Sequence, residues 1–126
     1  MAHLCSDAAA WTFSLPWEEP QRAFRAWAHE GIWQGEPFGL GGAQMVEVEA
    51  QLWVANLVAQ RGVHSQESVP PIRYGALETC LDKLQGFARP RAASLHLSRL
   101  DCGSWDRIEA LLLKMLAGLE VFVYDF

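Results

Sequence analysis

Residues 93–119 read ASLHLSRLDCGSWDRIEALLLKMLAGL, and the class of fold is decided within them. Residues 93–100 read as a strand, and residues 101–103 as a short turn with one glycine. Ser104 stands at a helix N-cap, with Asp106 in the first turn where a negative charge favours the helix dipole. Trp105, Ile108, Leu111, Leu112, Met115, Leu116 and Leu119 then recur at helical spacing and define one apolar face. Gly118 ends that helix, and EVFVYDF at residues 120–126 reads as a further strand. Strand, turn, helix and strand in this order are the repeating unit of an α/β protein.

The same pattern extends upstream. Residues 72–88 predict a helix with Tyr74, Leu77, Leu81, Leu84 and Phe87 or Ala88 on one stripe, and Pro90 terminates it. LWVANLVAQ, residues 52–60, is apolar almost throughout, as a strand buried on both faces must be. Residues 43–49 set Met45, Val46 and Val48 against Gln44, Glu47 and Glu49 and read as a strand near an edge. Ala50 and Gln51 are a connection short enough for an antiparallel hairpin. Five glycines and Pro37 make residues 31–42 a connecting loop. Before it, Pro16 and Pro20 bracket a helix start and Glu18 and Glu19 favour its positive end. Phe24, Trp27 and Ala28 share a face, and Gly31 is the C-cap. Residues 8–17 read as a loop packed on the body, and residues 2–6 as a strand ending at Asp7. The order β-α-β-β-α-β-α-β predicts an α/β fold with a mixed, largely parallel sheet and helices on both faces.

Composition bounds what such a domain can do. The chain has 126 residues, which suits one domain over residues 1–126. Apolar residues make up 51%, with six tryptophans and six phenylalanines, enough for a core. The net charge is −5 and no Lys/Arg cluster reverses it, which argues against a nucleic-acid partner. No segment reaches the ~18 consecutive apolar residues of a membrane span. The first ten residues lack the basic and long apolar regions of a signal peptide. Cys5, Cys80 and Cys102 are an odd number at scattered spacing, neither a disulfide framework nor a zinc site. They read as reduced thiols of a cytoplasmic protein. His3, His29, His64 and His96 show no metal spacing, and no cofactor is implied.

Three features could carry chemistry. Asp7 follows the first strand, and open α/β sheets bind ligands at the carboxyl ends of their strands. Its plain alternative is a surface aspartate starting a turn. The Arg99-to-Ser104 segment joins a strand to a helix N-terminus, where backbone N–H groups can receive an anion. With one glycine it is no phosphate-binding motif, and an ordinary β-to-α turn is the simpler reading. Cys102 and His96 could pair as nucleophile and base, but no acid orients them, and a small buried thiol is the simpler reading.

From Gly39 onward the chain resembles the macro domain, in the subgroup of bacterial orphan and chromatin-remodeller-like members. The segments that carry the resemblance are LGGAQMVEV, LWVANLVAQRGV, PPIRYGALETCLDKL, ASLHLSRLDCGSWDRIEALL and VFVYDF, about two thirds of the chain. MAHLCSDAAAWTFSLPW then falls on the family's first ligand loop. The resemblance implies a three-layer α/β/α fold, here without the family's usual first strand, and ADP-ribose as the ligand type. It places Asp7 near the distal ribose, as orienting group or as base in hydrolysis of an ADP-ribosyl ester. Asp101, Cys102, Gly103 and Ser104 fall on the second ligand loop, and Tyr124 and Phe126 where an aromatic can stack on adenine. Asn56 and Gln60 match the subgroup and read as satisfied strand polars.

The departures fall on the ligand loops. The family's adenine-holding aspartate has no counterpart in this sequence. Ala8, Ala9, Ala10 and Trp11 stand where glycines let the backbone approach the ligand. The second loop is shorter, and Asp101 replaces a glycine. Its charge ~4 Å from a diphosphate would repel by ~4 kcal/mol at an effective dielectric of ~20. Two functions therefore stay open at this point. One is recognition of ADP-ribose or a related nucleotide, with catalysis in question. The other is a degenerate macro domain acting as an interaction or structural subunit, its cleft filled by Trp11, Phe13 or Trp17. An exposed sheet edge would then serve a protein partner or a homo-oligomer.

Overall fold

The computed structural model describes residues 1–9, 11, 15–62, 72–98 and 104–124. Asp101, Cys102, Gly103, Phe126 and Phe13 lie outside the described residues. The elements are β1 (Ala2–Ser6), α1 (Glu19–Glu30), β2 (Ile32–Trp33), β3 (Glu36–Pro37), β4 (Ala43–Glu49) and β5 (Leu52–Gln60). After them come α2 (Tyr74–Ala88), a single 3₁₀ turn (Arg89–Arg91), β6 (Leu95–Ser98), α3 (Trp105–Met115) and β7 (Val121–Tyr124).

Five strands form one sheet in the order β4-β5-β1-β6-β7. β1 runs parallel to both β5 and β6, and β6 is parallel to β7. β4 alone is antiparallel, through the expected hairpin with β5. Alternation along β1 and β5 sends side chains to two separate cores. Ala2, Leu4, Ala55, Leu57 and Ala59 join the stripe Leu77, Leu81, Leu84 of α2 and Ile108, Leu112 of α3. Cys5 and Val58 point the other way and meet Phe24 and Trp27 of α1. The result is the expected three-layer α/β/α arrangement with a mixed, largely parallel sheet.

The layer between the sheet and α1 also holds a buried polar row. Asn56 Nδ2 donates to Gln44 Oε1 at 2.9 Å and to Pro20 O at 3.1 Å, and Gln44 Nε2 donates to Ala23 O at 3.0 Å. Both amide hydrogens of Asn56 are thus spent, so its Oδ1 faces His3 and His3 Nε2 is the donor in their hydrogen bond. These bonds offset the desolvation of three buried polar side chains and fix α1 against β4, β5 and β1.

Several local features differ from the sequence expectation. Residues 31–42 are more than a loop: Ile32 pairs with Pro37 and Trp33 with Glu36, around a turn with positive φ at Gln34 and Gly35. This ribbon is held by Trp27 Nε1 donating to Glu36 O at 2.8 Å and by the ion pair of Lys83 with Glu36 at 2.6 Å. Gln44, grouped with the outward polar residues of its strand, is fully buried because α1 covers that face. Ile72 precedes α2 and instead bridges Gln60, extending the sheet edge. Gly31 caps α1 in the left-handed region, its N–H donating to Trp27 O, as expected.

Candidate functional site

The carboxyl ends of β5, β1, β6 and β7 all point to one edge of the sheet, because these four strands are mutually parallel. Asp7, Ser104 and Tyr124 all belong to the segments that meet this edge. The register of β1 on β5 slips between Cys5 and Ser6, an irregularity that re-aims the residues after it.

Asp7 is half-buried and laced to the end of β5. Its N–H donates to Gln60 O at 2.9 Å, and its Oδ1 accepts from the Gly62 N–H at 2.9 Å. Ser6 Oγ donates to Gly62 O at 2.7 Å and accepts from the Ala8 N–H at 3.0 Å. Ala9 follows at φ 60, a left-handed conformation that costs an alanine more than a glycine. One oxygen of the candidate carboxylate is therefore engaged by the protein's own backbone.

Trp11 occupies the space above β1. Its ring stands edge-on to His3, with centroids 5.1 Å apart at 81°, and tilts onto Phe24 at 5.6 Å. Burial holds the His3 imidazole down to about 4, opposed by its hydrogen bond to Asn56 and assisted by the nearby N-terminal charge. His3 is thus a neutral core residue. Burial likewise raises the thiol of Cys5, and pushes that of Cys80 up to about 12, so neither supplies a thiolate nucleophile.

Ser104 sits at the N-cap of α3 with extended backbone angles, but its side chain makes no capping bond. Its N–H donates to the Tyr74 hydroxyl at 2.8 Å, and the Arg107 guanidinium lies 3.8 Å over the Tyr74 ring. The N–H that an anion would seek at this position is therefore occupied.

Tyr124, at the end of β7, lies along the sheet face. Its hydroxyl is 2.8 Å from His96 Nδ1, and the two rings stack at 5.8 Å and 14°. An apolar groove of about 370 Å³ runs beside it, with Trp17 and Leu52 among its walls and Leu97, Ser98 and His96 along β6. Trp17 is fixed there by its Nε1 donating to Glu49 Oε2 at 3.0 Å.

Sequence reasoning did not single out Gly62, and named Trp17 only as a residue that could fill the cleft. Gly62 acts through its backbone, which leaves no residue-type signal. By sequence His96 is a possible base for Cys102 and shows no metal spacing, yet both its ring nitrogens face oxygens, of Ser94 and Tyr124. Among the described residues no group of His, Cys, Asp and Glu could hold a metal ion. No helix among them is long and apolar enough to cross a membrane.

No protein-family model matches the sequence, and no curated protein does. Solved structures do. A protein of unknown function from Bacteroides thetaiotaomicron superposes at a TM-score of 0.89, with 31% identity over 99% of this chain and 85% of that one. A second Bacteroides thetaiotaomicron structure gives the same TM-score and identity and is covered to 87%. A macrodomain protein from Streptomyces coelicolor is 35% identical over 99% of this chain and 86% of its own, with a TM-score of 0.84. Identity at this level over nearly the whole chain, on the same mixed sheet, places the protein by sequence and by fold together: it belongs to the macro domain family.

Proposed function

We propose that this chain recognises ADP-ribose or a related nucleotide at the carboxyl ends of β5, β1, β6 and β7, as a weak binder rather than an efficient catalyst. The observation that carries the reading is Asp7. It stands half-buried at the end of the central strand, on the edge where α/β sheets receive ligands. The groove beside Tyr124 adds an apolar wall suited to a planar base.

The same geometry accounts for weakness. Asp7 Oδ1 is engaged by Gly62, so a ligand hydroxyl would compete with an existing bond or take the other oxygen. Ala8 and Ala9 stand where glycines would let a diphosphate approach the backbone. The charge of Asp101 falls on the second ligand loop by resemblance and would repel it. Titration with ADP-ribose, followed by calorimetry and amide NMR shifts, should give a Kd weaker than ~100 μM, or about −5.5 kcal/mol. Shifts should centre on residues 6–9 and 60–62. No shift at millimolar ligand would sink the proposal.

One observation supports the second reading, an interaction subunit. β7 is the last strand of the sheet, and Phe122, Val123 and Tyr124 on it are each about 40% exposed. An uncovered apolar edge invites another strand. Homo-oligomerisation through β7 would show as a concentration-dependent mass in light scattering that Val123→Lys abolishes. An invariant monomer mass excludes it.

A further inference from the structure

Ser94, His96 and Tyr124 form a hydrogen-bonded row on the sheet face that α1 leaves open. His96 Nε2 lies 3.0 Å from Ser94 Oγ, and His96 Nδ1 lies 2.8 Å from the Tyr124 hydroxyl. The row follows from the strand period: residues 94 and 96 share a face, and the parallel register sets Phe122 beside His96 and Tyr124 beside Ser98. Phe122 stacks on the imidazole at 4.9 Å and 13°, and Tyr124 stacks from the other strand position at 14°, so the ring plane is clamped. Ser94 is exposed and His96 half-buried. Both also line a cavity of about 160 Å³ whose apolar walls include Leu84, Phe87, Ala88 and Leu95. The row meets the geometric signature of an activated hydroxyl: nucleophile, base and a third group that orients the base.

We propose that Ser94 is an acyl-accepting nucleophile for short-chain esters, with His96 as its base and Tyr124 as the positioning residue. With Nδ1–H donating to the Tyr124 hydroxyl oxygen, the Nε2 lone pair faces Ser94. Ser94 Oγ attacks the ester carbonyl carbon and its proton passes to His96 Nε2. The bond from that carbon to the leaving oxygen breaks, and the oxygen takes the proton from His96. Water then attacks the acyl carbon, gives a proton to His96, and the Oγ–carbon bond breaks as that proton returns to Ser94. One ester and one water become one carboxylic acid and one alcohol. A cavity of this size accepts an acyl chain of a few carbons and no more. His96 and Tyr124 also line the groove proposed for a planar base, whereas Ser94 lies at the amino end of β6 outside that groove, so Ser94→Ala tests the acyl step apart from the nucleotide reading.

The full chain is incubated with p-nitrophenyl acetate, butyrate and decanoate, with phenolate release followed by absorbance and the acyl adduct located by peptide mass mapping. Acetate and butyrate should acylate Ser94, and decanoate should react markedly more slowly. Ser94→Ala and His96→Asn should lower turnover by about a hundredfold or more, the lower range for loss of a general base. Tyr124→Phe should lower kcat with KM unchanged, which loss of packing alone would not do. Circular dichroism confirms that each variant is folded, and Ser94→Ala, at an exposed position, should leave ADP-ribose shifts as in the parent chain. Acylation confined to the Met1 amine or to lysines, or an unchanged rate in Ser94→Ala, overturns the proposal.

Discussion

Asp7 and Gly62 are joined across the parallel pair β1–β5 by a hydrogen bond of 2.9 Å, the glycine N–H donating to the aspartate Oδ1. The aspartate that the family resemblance puts nearest the ligand is thereby also the clasp that holds the segment after β5. A part-buried N–H left without its acceptor costs ~1–3 kcal/mol. Asp7→Ala should lose stability in that range in urea melts. Asp7→Asn keeps an acceptor oxygen and should lose under ~1 kcal/mol while weakening any ADP-ribose binding. Equal losses in both variants would show that the charge, not the hydrogen bond, is what Gly62 needs.

His3 should make the fold sensitive to mild acid. Its folded value of about 4 lies below the ordinary histidine value of 6.5, because burial disfavours the charged ring. The unfolded chain therefore binds the proton first as pH falls. Stability from this group is complete above ~6.5 and is lost as pH falls from there through ~4, by about 3 kcal/mol in all. Urea midpoints between pH 7 and 4 should drop in the parent chain and drop less in His3→Gln. Parallel curves for the two would assign the acid sensitivity to other groups.

Gly42 cannot take a side chain without displacing its neighbours. A Cβ there would lie 2.9 Å from Gly39 O and 2.9 Å from two carbons of the Trp27 ring. Trp27 is fully buried and its Nε1 is tied to Glu36, so the ring has no free direction to move. Gly42→Ala should cost ~1–3 kcal/mol, the usual cost of overpacking. Gly35→Ala meets no atom within 4 Å but stands at φ 83, so its cost should come from backbone strain alone. Thermal melts that rank Gly42→Ala as neutral would refute the close packing of this loop on Trp27.

Ile108 and Leu113 lie on the same helix and should behave oppositely. Ile108 is fully buried in the core shared with α2, whereas Leu113 is 71% exposed. Ile108→Ala should lose ~2–5 kcal/mol, and Leu113→Ala should stay within ~0.5 kcal/mol. Comparable losses would mean that the outer face of α3 is covered in solution.

What the sequence determined by itself is the class and layering of the protein. The helical stripes of α2 and α3 and the unbroken apolar run of β5 each demand burial of a particular face, and that demand is local. It can be met only by a sheet with helices on both sides. The resemblance added the family, and spaced segments agreeing in order were enough for it. Tertiary structure decided the rest. Gln44 reads by its residue type as an outward polar group, and only the docking of α1 onto its face buries it. Asp7 and Gly62 are 55 residues apart, and His96 and Tyr124 are 28. Which strands become neighbours, and in what register, sets those pairs to within hydrogen-bond tolerance. A pattern of residue types records which face is buried, but it does not record distances between segments, and both candidate sites are made of such distances.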